Sequence, residues 1–327
     1  PIRVQADFPS NVLGDFYGGS RSYSPIYLVL DSPIATLYGK IYPMSTSAIS
    51  IKGLTKKYDG KLAVAGIDLE VSYGEIFAIL GPNGAGKTTT VEILEGYRFR
   101  DSGEVIVLGD DPQALGDKTY TWRERIGIVL QSSADAGDLS VRETVHHFAK
   151  YYPNPKDPES VISLTGLAEK ADDKIRNLSG GQRRRLDVAL GIIGSPELLF
   201  LDEPTTGFDP EARRAFWELI KTLRDEGTTI LLTTHYLDEA EALADRVAVI
   251  ADGKIVEISP PETLGGRHLA QARISWVEGG KQHERFTSTP TSDVATIASR
   301  MGGEVPELQV IRPSLEDIYL QMIGQSK

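Results

Sequence analysis

The run Gly81-Pro82-Asn83-Gly84-Ala85-Gly86-Lys87-Thr88-Thr89 constrains this chain more than any other stretch. It follows a β-rich segment over residues 75–80 and precedes a helical pattern, so it reads as a glycine-rich turn between a strand and a helix N-terminus. Glycines at 81, 84 and 86 let the backbone amides, those of Asn83 and Ala85 among them, turn inward toward phosphates, where larger side chains would block the approach. Lys87 is then placed to reach the β and γ phosphates, Thr88 to ligate Mg²⁺ and Thr89 to contact the α-phosphate region. A chain with this turn in this setting folds around a nucleoside triphosphate.

Further along, Leu178-Ser179-Gly180-Gly181-Gln182 opens another helix. Its free N–H groups and helix dipole suit a γ-phosphate, but it lies too far along the chain to need the same nucleotide. The apolar run 198–201 then ends in Asp202-Glu203. A carboxylate at the end of a buried strand is costly unless it serves a cation, which makes Asp202 a partner for Mg²⁺. Neighbouring side chains diverge at a strand end, so Glu203 points elsewhere and is the group to polarise an attacking water as general base.

Three further residues take their meaning from these motifs. Gln131 closes the strand pattern 126–130 and offers an amide oxygen to Mg²⁺ or to the water. His235 follows the strand pattern 229–233, where an imidazole can donate to the γ-phosphate and hold Glu203 and the water in register. Tyr58 precedes the first glycine-rich turn and presents a ring that could stack on adenine. Arg183-Arg184-Arg185 reads as a solvated basic helix face.

Acidic residues outnumber basic ones 46 to 35, giving a net charge of −11, so a phosphate backbone is repelled on average and no nucleic-acid partner is expected. The chain has no cysteine, which removes disulfides, thiolate metal sites and cysteine nucleophiles together and suits a reducing cytosol. No stretch approaches the roughly eighteen apolar residues that cross a bilayer, so a membrane role calls for a separate subunit.

From Ile49 onward, short β-rich runs alternate with helical stretches, which predicts an α/β core of parallel strands. Strands are expected at 75–80, 104–108, 126–130, 198–201, 229–233 and 247–250. Between residues 132 and 194 the strand signal gives way to helical periodicity over 141–151, 158–164 and 181–193, the pattern of an inserted helical subdomain. After Pro260-Pro261 a small α+β unit is expected over 261–327, finishing with a strand at 308–311 and a helix at 314–323 capped by Ser314. Residues 1–47 lack the periodicity of the rest. Up to residue 43 they read either as an extension foreign to the core or as an extra element such as a short hairpin or membrane-surface patch built on their tyrosines.

Together these residues resemble the ATP-binding cassette superfamily over about residues 48–260, and more narrowly the ATPase subunits of bacterial drug and antibiotic exporters of the daunorubicin-resistance type. The segment 312–320 is similar to the ending of those subunits. The resemblance implies a P-loop fold with a RecA-like core, an antiparallel β subdomain and a helical signature subdomain. Tyr58 matches its A-loop, Gly81 to Thr89 its Walker A motif, Gln131 its Q-loop, Ser179 to Gln182 its signature, Asp202 the end of its Walker B strand, Glu203 its catalytic glutamate, Asp209 its D-loop and His235 its switch histidine. Phe208 stands where that D-loop commonly has Leu. The family further implies ATP and Mg²⁺ as cofactors and a head-to-tail dimer in which Ser179, Gly180, Gly181, Gln182 and Asp209 act in trans. It also implies a separately encoded permease at the cytoplasmic face of the cell membrane and export of a drug-like or hydrophobic substrate. The rival reading is a soluble ATPase of the same class working on ribosomes or nucleic acid. A regulatory module without turnover is disfavoured by the presence of both Glu203 and His235.

Overall fold

In the computed structural model, the described residues are 47–129 and 138–324, together with the backbone of 36–37 and 40–41, which pair as two short antiparallel strands, β1 (Thr36–Leu37) and β2 (Lys40–Ile41). Gln131 lies outside the described residues.

The centre is a six-stranded sheet. It contains β5 (Ile76–Leu80), β7 (Ile126–Val129), β8 (Leu198–Asp202), β9 (Thr229–Thr234), β10 (Arg246–Ala251) and β11 (Lys254–Ser259), in the order β11-β10-β5-β9-β8-β7. All neighbours run parallel except the edge strand β11, which pairs antiparallel with β10. Five of the expected strands are β5, β7, β8, β9 and β10, their described ends within one residue of expectation, with residue 130 outside the described residues. The strand expected at 104–108 belongs instead to an antiparallel sheet, and the edge strand β11 was not expected.

Both faces of this sheet are covered, which is why its strands read as continuous apolar runs rather than alternating ones. Ile76, Ala78, Leu80, Leu199 and Leu201 face a core shared with the helical segments. Phe77, Ile79, Leu198 and Phe200 face the opposite core, closed by a three-stranded antiparallel sheet. That sheet has the order β4-β3-β6, from β3 (Ser47–Tyr58), β4 (Lys61–Ser72) and β6 (Ser102–Val107). Each fully buried Phe, Ile or Leu contributes about 1.5–3 kcal/mol.

A short helix α2 (Thr119–Arg123) leads into β7, and the helical region carries α3 (Val141–Ala149), α4 (Pro158–Leu164) and α5 (Gly180–Ile192), close to the expected spans. Ser140 and Ser179 each start a helix with a reciprocal capping box. Two helices complete the sheet's connections near the site: α6 (Pro210–Asp225), capped by Asp209, and α7 (Leu237–Leu243).

The C-terminal unit has its own small core of Ile274, Trp276, Ile297 and Val305. It is built from β12 (Ala272–Glu278), β13 (Lys281–Thr287), β14 (Gln309–Ile311) and α8 (Pro290–Met301). The closing helix α9 (Leu315–Gly324) begins with the Ser314 cap expected from sequence. It does not stay with that core: Leu315, Tyr319, Met322 and Ile323 join the main core beside Leu243 and Leu264. Sequence periodicity finds the helix but not which core its apolar face will bury.

Candidate functional site

The strand β5 ends at Leu80, and the chain turns through residues 81–86 into α1 (Lys87–Leu94). Two of the glycines are dictated by close backbone approach. A Cβ at Gly81 would stand 2.5 Å from the Ile250 carbonyl oxygen, and one at Gly86 would stand 2.3 Å from that of Ala63, where φ is also +105°. The Gly253 amide donates to the Ala85 carbonyl at 3.1 Å, so the loop is braced from the β10–β11 turn.

Lys87 is buried at 5 % exposure. Its ammonium donates to the carbonyl oxygens of Gly81 (2.9 Å) and Pro82 (3.4 Å) and lies 3.5 Å from Oε1 of Glu203. A cavity of about 420 Å³ opens over it, lined by Tyr58, Asn83, Gly84, Thr88, Thr89 and Glu203 among others. Tyr58 closes β3, and two cations lie over its ring, Lys56 Nζ at 5.5 Å and the Arg98 guanidinium at 5.4 Å from the ring centroid. Arg98 escaped the sequence reading because the pairing crosses two distant segments.

Asp202 and Glu203 diverge as expected, and the backbone supplies the reason. Glu203 has a left-handed φ of 45° at the end of β8, a conformation that costs a non-glycine residue about 1 kcal/mol or more. Its amide donates to the Thr233 carbonyl at 3.1 Å, which holds the kink. The carboxylate thus turned has Oε1 toward Lys87 and Oε2 3.3 Å from Nδ1 of His235. Lys87 and His235 therefore meet on the one Glu203 carboxylate.

Asp202 is buried, and its carboxylate accepts a short hydrogen bond from the Thr233 hydroxyl. Among the described residues no group of three or more His, Asp or Glu side chains is arranged to hold a metal. A buried carboxylate supported by one neutral hydroxyl instead fits a cation held by few protein oxygens and by a nucleotide's phosphates, the habit of Mg²⁺.

Two buried charges went unread in the sequence. Arg184 is no solvated residue: it is buried, and it donates from Nε to the Pro204 carbonyl (3.0 Å) and from Nη2 to the Asp202 carbonyl (2.8 Å). Burial lowers its pKa. Arg183 and Arg185, half-buried, flank it on α5. Glu95, at the end of α1, has its carboxyl pushed up to about 8 by burial, with Asp202 and then Glu92 adding like charge.

The signature residues face a different space. A second cavity of about 440 Å³ is lined by Ser179, Gly180, Gly181, Gln182, Gly207 and Asp209 among others. The Ser179 hydroxyl accepts from the Gln182 amide at 3.2 Å, and Asp209 caps α6 by accepting from Ala212 N at 2.8 Å. Phe208 packs edge-to-face on Phe216, ring centroids 5.7 Å apart, so its aromatic ring has a buried partner of its own. The fold thus gathers Tyr58, the glycine-rich turn, Glu203 and His235 at one place and the signature with Asp209 at another.

A glycine-rich turn feeding a helix, a lysine over its carbonyls and a glutamate–histidine pair define a P-loop nucleoside triphosphatase. Residues 64–206 match the family described as ABC transporter. Over 307 residues, 86 % of this chain and 99 % of the relative, it is 34 % identical to "Nod factor export ATP-binding protein I" of Rhizobium sp. (strain N33). It is 34 % identical over 314 residues, 87 % of this chain and 98 % of the relative, to "Daunorubicin resistance ATP-binding protein DrrA3" of Streptomyces coeruleorubidus. Among solved structures it resembles cbiO1 from Clostridium perfringens, described as part of the ABC transporter complex cbiONQ. The TM-score is 0.61 at 29 % identity, with 67 % of this chain and 90 % of that one covered. A dimeric bacterial ABC transporter cassette matches with a TM-score of 0.58 at 25 % identity, covering 65 % and 98 %. The chain belongs to the ABC transporter family, as an ATP-binding subunit that hydrolyses ATP.

Proposed function

We propose that two copies of this chain close head to tail around two ATP molecules and that the closure drives export through a separately encoded membrane permease. The observation that carries the reading is the split within one chain. The phosphate-binding residues and Glu203 line one cavity, while Ser179 to Gln182 and Asp209 line another. Such halves are completed when a second copy presents its signature to the first copy's nucleotide, and the dimeric cassette relative supports that arrangement.

In the closed site Tyr58 stacks on the base, and the amides of residues 83–89 with Lys87 hold the phosphates. Thr88 and Asp202, with Gln131, would hold Mg²⁺, which supplies charge neutralisation at the phosphates when bound. Glu203 accepts the proton of the attacking water, and His235 orients Glu203 through the contact at Nδ1. ATP favours closure because it binds the closed state more tightly than the open one.

Residues 48–260 are the cassette, with a helical subdomain over about 132–194, and residues 261–327 are an accessory unit whose closing helix α9 packs on the main core. Among the described residues no helix is long and apolar enough to cross a membrane, which fits a subunit held at the cytoplasmic face by its permease. The names of the relatives, a Nod factor exporter and a daunorubicin resistance protein, support a drug-like or hydrophobic substrate and disfavour a ribosomal or nucleic-acid role.

Affinity purification of the tagged chain from detergent-solubilised membranes tests this reading. A polytopic membrane protein should accompany it, with Mg²⁺-dependent ATPase activity in the complex. Recovery of active chain only with ribosomes or DNA would overturn the transport assignment.

A further inference from the structure

Beneath the loop that follows Glu203 lies a buried polar cluster that the reaction described above does not use. Glu239, on α7, is fully buried, yet neither oxygen of its carboxyl has a hydrogen-bond partner. Thr205 Oγ1, Trp217 Nε1 and Arg213 Nε are likewise buried and partnerless. Thr234, Thr205 and Trp217 stand against the carboxyl near hydrogen-bonding range without reaching full hydrogen-bond geometry, with the Arg213 charge beyond them. Buried polar atoms are nearly always hydrogen-bonded, because one taken from water without a partner loses its hydrogen bonds to water and gains none. Concentrating several at one spot calls for an explanation.

Their places in the chain supply one. Thr205 is two residues past Glu203, in the loop that runs to Asp209 at the signature cavity. Thr234 immediately precedes His235, and Glu239 follows four residues after it. Arg213, on α6, reaches back to the same segment, with its guanidinium 4.8 Å from the Tyr236 ring centroid and a 2.9 Å ion pair to Asp238. The cluster therefore sits where the segments carrying the base, the D-loop and the switch histidine converge.

We infer that Glu239 is a positioning residue, which ties the Glu203–Asp209 loop to the His235 segment by closing hydrogen bonds to Thr205 and Trp217 when the two segments draw together around nucleotide. Burial raises the pKa of this carboxyl, and in its protonated form it offers one O–H donor as well as acceptor oxygens. A neutral amide of the same shape should then do much of its work, and an apolar side chain of similar volume should not.

The inference rests on Glu203 and His235 as the hydrolytic pair, so Glu203→Gln and His235→Ala are assayed alongside. If those two variants turn over like the wild type, that pair is wrong whatever Glu239 does. With the pair upheld, Glu239→Met in the full-length chain should lose about tenfold or more in kcat while its KM for ATP stays within about threefold and its melting temperature changes little. Glu239→Gln should recover kcat to within about threefold of wild type. Thr205→Val, which removes one hydroxyl at nearly constant volume, should lower kcat in the same direction, and its effect should vanish in the Glu239→Met background. Wild-type kcat in Glu239→Met overturns the proposal. So does a parallel loss of kcat in Glu239→Gln, or, should Glu239→Met fail to fold, a Thr205→Val variant with unchanged kcat.

Discussion

The guanidinium of Arg184 donates to the main-chain oxygen of Asp202 across 2.8 Å, joining helix α5 to the last residue of strand β8, next to Glu203. Its Nε holds the Pro204 carbonyl in the same way, so one side chain spans both sides of the Glu203 kink. A planar fork presents its donors to the two carbonyls in fixed directions, an arrangement that a lysine's compact ammonium on its flexible stem does not reproduce. Replacing Arg184 with Met leaves two buried carbonyls without these donors, each worth about 1–3 kcal/mol. Arg184→Met should lower the denaturant midpoint by a matching amount and depress turnover, with Arg184→Lys intermediate. Urea titration beside steady-state ATPase assays checks this, and an unchanged midpoint in Arg184→Met would contradict it.

Gly86 is the least replaceable residue of the phosphate loop. An added Cβ meets a backbone oxygen of Ala63 at 2.3 Å, and backbone cannot swing aside as a flexible side chain can. Gly86→Ala should therefore shift the start of α1 and weaken ATP binding by about tenfold or more. At Gly84 nothing lies within 4 Å of where an added methyl would stand, so Gly84→Ala suffers only from its φ of +80° and should be milder. Equilibrium titration with a fluorescent ATP analogue ranks the two, and equal effects would refute the steric argument.

Glu95 gives stability a pH dependence of defined sign. Its carboxyl is raised from 4.5 to about 8 in the folded chain, first by burial and then by Asp202 and Glu92. The native state thus keeps a proton that the unfolded chain releases, and stability contributed by this group is fully present below 4.5 and lost as pH climbs to about 8. Glu95→Gln, fixed in the neutral form, should flatten that slope and gain on the wild type as pH rises. Urea midpoints taken without nucleotide or metal from about pH 5 to about pH 9 should diverge and then level off. Parallel profiles would show that Glu95 is ionised throughout.

The fold was legible where the signal is local. Apolar runs marked five of the six strands of the central sheet, missing the half-exposed edge strand β11, while Ser179 and Ser314 marked helix starts and the glycine-rich turn marked the phosphate site. What stayed hidden depends on segments far apart in sequence. Arg184 looks like one of three solvated arginines until α5 is laid against Pro204, and Glu95 and Glu239 look like ordinary surface acids until their helices are packed. The strand β4, read from sequence as no element at all, pairs along its length with β3, a register that only the antiparallel partner reveals. The apolar face of α9 signalled burial without saying that the main core would receive it.

The central claim is that Glu203, held by Lys87 and His235, is the base for ATP hydrolysis. The most direct measurement is Mg²⁺-dependent turnover of Glu203→Gln together with its ATP affinity and its mass in solution with ATP. Turnover should fall by about 10²-fold or more, ATP should still bind, and a nucleotide-dependent dimer should accumulate. Wild-type turnover in Glu203→Gln would contradict the account.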